Sequence, residues 1–129
     1  MRVRGYWASE SGAGAAEFAL VLIPFLALIF GIINLSMMFY ANHTLQYAAE
    51  AAARCYSISS LINSTACNSA SAAGNYAVSR YSGPNIGATF NALPYPSGCG
   101  YTVTGAGTFP VKAVVVTINV PLATTACFP

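Results

Sequence analysis

Between Phe18 and Tyr40 the sequence reads FALVLIPFLALIFGIINLSMMFY, and no charged side chain interrupts it. About 20 apolar residues in helical form span the hydrocarbon core of a bilayer. A cleaved secretory signal has a shorter apolar core, about 7–15 residues. The small residues Ala13 to Ala16, which could imitate a signal-peptidase site, stand at the wrong end of the run. A buried core helix is also excluded, because 129 residues leave too little chain to wrap such a segment. The run therefore predicts one membrane-spanning helix. Arg2 and Arg4 precede it closely, and no Lys or Arg follows until Arg54. Positive residues near a span stay in the cytoplasm, so the N-terminus is expected inside and the rest outside. Pro24 and Gly31 fall within the span and are tolerated there.

Composition agrees. The chain is 56% hydrophobic and 6% charged, and it contains no aspartate. Soluble domains carry about 25% charged residues. A net charge of +2 spread over five scattered basic residues gives no nucleic-acid footprint. One histidine and three glutamates supply almost no acid–base machinery. An enzyme, a cofactor and a small-molecule substrate are therefore not expected.

Helix should not stop at the membrane. Tyr40 to Ser57 reads YANHTLQYAAEAAARCYS, rich in alanine and free of Gly and Pro. Ala41, Leu45, Ala48, Ala52 and Cys55 form an apolar stripe at helical spacing. His43, Gln46, Glu50, Arg54 and Ser57 form the opposite polar one. Glu50 stands four residues before Arg54, the favourable order for an ion pair. A helix from about residue 15 to 57 would run about 65 Å, roughly twice the bilayer core. Its outer half is expected to be a spine on which a small domain packs.

Beyond a polar break at Ser59–Ser64, Ala66 to Tyr81 predicts a second, shorter helix. Ser82-Gly83-Pro84-Asn85 ends it. Three strands should follow: Ala88–Leu93, Tyr101–Thr104 and Val111–Val120, the last being rich in β-branched residues. Pro94, Pro96 and Gly98 would separate the first two, and Gly105 to Pro110 the last two. The expected class is α+β: a long transmembrane helix reaching into a periplasmic domain with a short helix and a small antiparallel three-stranded sheet. The boundaries read as 1–12, 13–57 and 58–129.

Cys55, Cys67, Cys99 and Cys127 all follow the span. An even count on an oxidising side suggests two disulfides. Of the three possible pairings, Cys55 with Cys67 and Cys99 with Cys127 is favoured, tying the spine to the second helix and the sheet to the tail. Zinc needs tight C-x-x-C pairs, and none occurs.

The stretch Gly12-Ala13-Gly14-Ala15-Ala16-Glu17-Phe18 adds a further expectation. It resembles the processing site of type IV pilin-like precursors, in the pattern of tight adherence (Flp) pili: Gly, four residues, Glu, aromatic. The segments GAGAAEFALVLIPFLALIFGIINL, YANHTLQYAAEAAARCYS and TACFP resemble the TadE-like pseudopilin family. The resemblance implies a precursor cut between Gly12 and Ala13 by a prepilin peptidase, leaving Glu17 as the fifth residue. It implies an inner-membrane protein with its C-terminal domain outside, a minor structural subunit of an adhesive Tad pilus. Its partners would be that peptidase, membrane lipid, and other pilin or pseudopilin subunits met through the N-terminal helix. Read from the residues alone, Glu17 is also ordinary first-turn helix chemistry. An uncleaved single-pass protein whose outer domain binds an envelope or secretion partner stays open.

Overall fold

A computed structural model describes residues 10–94, 98–113 and 116–129 of the chain. Arg2 and Arg4, on which the expected orientation rests, lie outside the described residues. The chain divides into two compact units, Met1–Ile33 and Asn34–Pro129.

Helix α1 covers Glu10–Ile62. In the first unit its side chains from Gly12 onward are exposed or half-exposed, and Phe18 is 67% exposed. Helices apolar all round belong to a protein interior or to lipid. Among the described residues this is the one helix long and apolar enough to cross a membrane, and its most apolar window is not buried at all. Such a helix is compatible with a single-pass membrane protein. Pro24 lies inside α1 and removes the N–H that the carbonyl of Leu20 would accept.

The second unit is an α+β head, the class expected from the sequence. It holds the end of α1, helix α2 (Ala70–Arg80), and strands β1 (Thr89–Ala92), β2 (Tyr101–Lys112) and β3 (Thr117–Phe128). The sheet is antiparallel throughout, in the order β1-β2-β3.

The core forms because one face of α1 is almost pure alanine. Ala41, Leu45, Ala48, Ala49, Ala52 and Ala53 are all at most 1% exposed. Single methyl groups let a neighbouring element approach the helix backbone closely. Larger side chains then fill the gap: Phe90, Val103 and Phe109 from the sheet and Ile86 from the loop before it, with Ala77 from α2. His43, Gln46, Glu50 and Arg54 lie exposed on the other side. Ser57 does not belong with them. It is buried, and its hydroxyl donates to the Pro129 carbonyl at 2.9 Å. The expected Glu50–Arg54 pairing is also replaced. Glu50 accepts from Gln46 Nε2 at 3.0 Å, and the Arg54 guanidinium lies 5.2 Å from the centre of the Phe128 ring.

Helix α1 runs a turn beyond Ser57, through the expected polar break. The Ser60 hydroxyl satisfies the Ser57 carbonyl within the helix at 2.7 Å. Asn63, with φ of 49°, then turns the chain, and the Ser64 N–H bonds back to the Ser59 carbonyl at 3.2 Å. That six-residue return bond is the usual left-handed stop. Helix α2 starts later than Ala66, at a Ser69 cap whose hydroxyl accepts from the Ala72 N–H.

The strands depart most from expectation. Val111–Val120 is not one strand: β2 ends at Lys112 and β3 begins at Thr117, and between them the Ala113 N–H donates to the Val116 carbonyl at 2.8 Å. The segment Gly105–Pro110, expected as a linker, is the middle of β2. Its glycines serve packing: a Cβ on Gly105 would collide with the Phe90 ring, and one on Gly107 with Ile86. Pro110 and Pro121 are tolerated because β1 pairs β2 only at Val103–Ala106, while β3 is an edge strand. Proline fits where a strand has a free side. Gly100, at φ 124°, packs its α-carbon against the Phe128 carbonyl and turns the chain into β2.

At the near end of the head, the Tyr40 hydroxyl donates to the Ser82 carbonyl at 3.2 Å and Tyr81 donates to that of Pro84 at 2.7 Å. Burial pushes the Tyr81 phenol above its ordinary value of 10.0, a hydrogen bond with Thr44 works against this, and Tyr40 adds to the rise.

Two predictions follow from this packing. In the full chain in detergent, Ala52→Leu overfills the spine face and costs about 1–3 kcal/mol of head stability. Gln46→Leu, on the exposed side, stays within about 0.5 kcal/mol. Denaturant melts of the two variants check the contrast. The second concerns pH. The protonated Tyr81 phenol is favoured by folding, so its contribution is whole below pH 10.0 and is lost as pH rises through the folded value. Thermal melts across that alkaline range should show a falling midpoint, with a shallower fall for Tyr81→Phe.

Candidate functional site

Two parts of the molecule carry the sequence motifs, and they fall in different units. The first is the segment Gly12–Phe18. Gly12, Ala13, Glu17 and Phe18 all lie on α1 and all are exposed. The Gly12–Ala13 peptide bond lies on α1, and Gly12, having no side chain, leaves the backbone there uncovered. Residues four apart share a helix face, so Ala13 and Glu17 are neighbours along α1.

The second part is the far end of the head. Cys55 on α1 bonds to Cys67, with Cα atoms 5.9 Å apart, and Cys99 bonds to Cys127 at 6.2 Å. Cys67 is fully buried in a small cluster with Tyr56 and Ala73. The Tyr56 ring lies 4.7 Å from that of Tyr101, and its hydroxyl donates to the Pro94 carbonyl at 3.1 Å. Tyr56, Ser57 and Arg54 thus hold the start of β2 and the end of β3 against the last turns of α1. The sequence offers no signal for Tyr56 and Ser57, since their partners lie far along the chain. Beside them an open groove of 460 Å³ is lined by Tyr47, Glu50, Arg54, Ile58, Ile62 and Tyr76. Among the described residues no cluster of three His, Cys, Asp or Glu side chains could hold a metal ion.

A long exposed apolar helix and a disulfide-braced α+β head define the class: a protein with one candidate membrane helix and one small disulfide-bonded domain. The family model described as TadE-like protein matches residues 12–54, which cover the apolar run and most of the alanine-faced spine. Over that segment the chain is TadE-like, in line with the resemblance carried by its sequence. No curated protein and no solved structure matches the chain.

The disulfides yield a prediction. Loop-closure entropy assigns about 3 kcal/mol to a bond of separation 12 and somewhat under about 4 kcal/mol to one of separation 28. Paired replacement of Cys99 and Cys127 by alanine should therefore lower the denaturation midpoint more than paired replacement of Cys55 and Cys67.

Proposed function

We propose that the chain is a pseudopilin, a minor structural subunit for the assembly of a Tad-type adhesive pilus, processed by a prepilin peptidase. The observation that carries this reading is the TadE-like match from Gly12 to residue 54. It begins at the residue after which cleavage would fall.

In this reading the peptidase cuts between Gly12 and Ala13, removing residues 1–12. The new α-amine of Ala13 then lies one helical turn from the Glu17 carboxylate, at a spacing that supports an ion pair. Before the cut Glu17 is an acidic group inside a long helix. After it, Glu17 is the fifth residue of a helix whose N-terminal field favours a carboxylate. A carboxylate at mid-membrane costs at least about 2.5–3.5 kcal/mol, so an amine partner from its own chain or a neighbour's favours seating the helix. Residues 13–57 serve as anchor and spine, and residues 58–129 as the outer domain. The protein sits in the inner membrane with the head outside, where its cysteines can oxidise. Its apolar helix packs against other pilin or pseudopilin subunits, and Gly14 offers a small-residue contact.

Mass spectrometry of the N-terminus tests the proposal. Co-expressed with a prepilin peptidase, the chain should begin at Ala13, and Gly12→Leu should leave it uncut. An intact N-terminus with active peptidase present would sink the processing step and favour an uncleaved anchor.

A further inference from the structure

The register of the sheet fixes which way each backbone group points. The Ala113 N–H bonds to the carbonyl of Val116, the next pair in the register of β2 and β3. In an antiparallel ladder, pairs that exchange hydrogen bonds alternate with pairs that do not. The register is unbroken, so the even-numbered residues of β3 turn their N–H and C=O toward β2, and the odd-numbered ones turn them away. On the other side of β2 the Leu93 N–H bonds to the Thr102 carbonyl and the Thr108 N–H to that of Ile86. The even-numbered residues of β2 therefore face β1 and the loop before it, and the backbone of Phe90 on β1 faces out of the sheet.

Two lengths of sheet edge are closed. Along β1, α2 lies against the backbone: a Cβ on Gly74 would come 3.1 Å from the Phe90 carbonyl oxygen. Along β2 past β1, Ile86 takes the Thr108 N–H, Pro110 has no N–H to offer, and Lys112 adds a charge. The third length is β3, which among the described residues has a strand on one side alone. Its sequence, TINVPLATTACF, carries no charge and is rich in β-branched residues. An uncharged run of this kind on an open edge is a template for pairing with another chain. Its outward positions are Thr117, Asn119, Pro121, Ala123, Thr125 and Cys127, and all but Cys127 are exposed. The proline stands at one of them. At 120 or 122 it would remove a hydrogen bond of the ladder with β2, and at 121 it removes none.

We propose that Pro121 is a block against strand addition, which keeps the sheets of two copies from joining edge to edge along β3. It takes an N–H out of the middle of the outward row, and its ring fills the space that a partner strand's carbonyl would occupy. An incoming strand meets N–H groups at 117 and 119 on one side of the gap and at 123, 125 and 127 on the other. Neither run approaches the length of the ladder that β2 and β3 form with each other. Pro110 does the same on the opposite edge, where β2 extends past β1.

The test compares the full wild-type chain in detergent with Pro121→Thr and, beside it, Pro121→Ala, reading amide hydrogen exchange residue by residue. In the wild type the amides of Asn119, Ala123 and Thr125 should exchange fast, and those of Val120, Leu122 and Thr124 slowly. In the variants the first three should slow by about tenfold, the worth of one net hydrogen bond, and should slow further as protein concentration rises. Adding Ala123→Pro to Pro121→Thr returns a proline to an outward position and should restore fast exchange at Asn119 and Thr125. Association through α1 is common to all four chains and produces no such difference. Unchanged exchange at 119, 123 and 125 in both variants overturns the proposal, and so does protection of those amides in the wild type. Protection that survives Ala123→Pro overturns it as well, because the association then does not use the outward N–H groups.

Discussion

The alanine face of α1 is the constraint on which the head depends. A helix lined by Ala41, Ala48, Ala49, Ala52 and Ala53 has little apolar surface of its own. It gains stability only where another element comes close enough to bury those methyl groups together with the backbone between them. The sheet meets this demand by supplying the bulk, with Phe90 and Phe109 from adjoining strands, and by removing it elsewhere, at Gly105 and Gly107. Small side chains on one partner and large ones on the other are two halves of one packing solution. Neither half would hold without the other.

The same helix changes the pattern of its surface along its length. Up to Ile33 its apolar side chains face outward in all directions. From Ala41 onward they gather on one face, and ionisable groups take the other. The pattern switches from uniformly apolar to amphipathic within a few residues of Tyr40. A single stretch of secondary structure thereby carries two surface patterns, and the TadE-like match spans the switch.

Much of this was legible in the sequence because it is local. The long helix, its alanine stripe, the short second helix and the three-strand content all come from patterns within a few residues of each other. The strand boundaries were not legible. Val111–Val120 has the strongest strand propensity in the chain, yet it holds the end of β2 and the start of β3. Gly105–Pro110 has the weakest, yet it is strand, because the reasons for its glycines sit on β1 and in the preceding loop. Ser57 was misplaced for the same reason: its acceptor is the carbonyl of Pro129. For Gly12–Phe18 the residue spacing carried the expectation, and the structure adds that the whole segment lies on α1.

The direction of the strands has a mechanical consequence. The twelve register pairs of β2 and β3 form one long antiparallel ladder, and the Cys99–Cys127 bond sits at its Tyr101↔Phe128 end. A pull that draws the two strands past each other loads this ladder in shear, so its hydrogen bonds share the force instead of opening one by one. The covalent staple keeps the strand ends in register under that load. A sheet built this way resists tension along its strands better than tension across them.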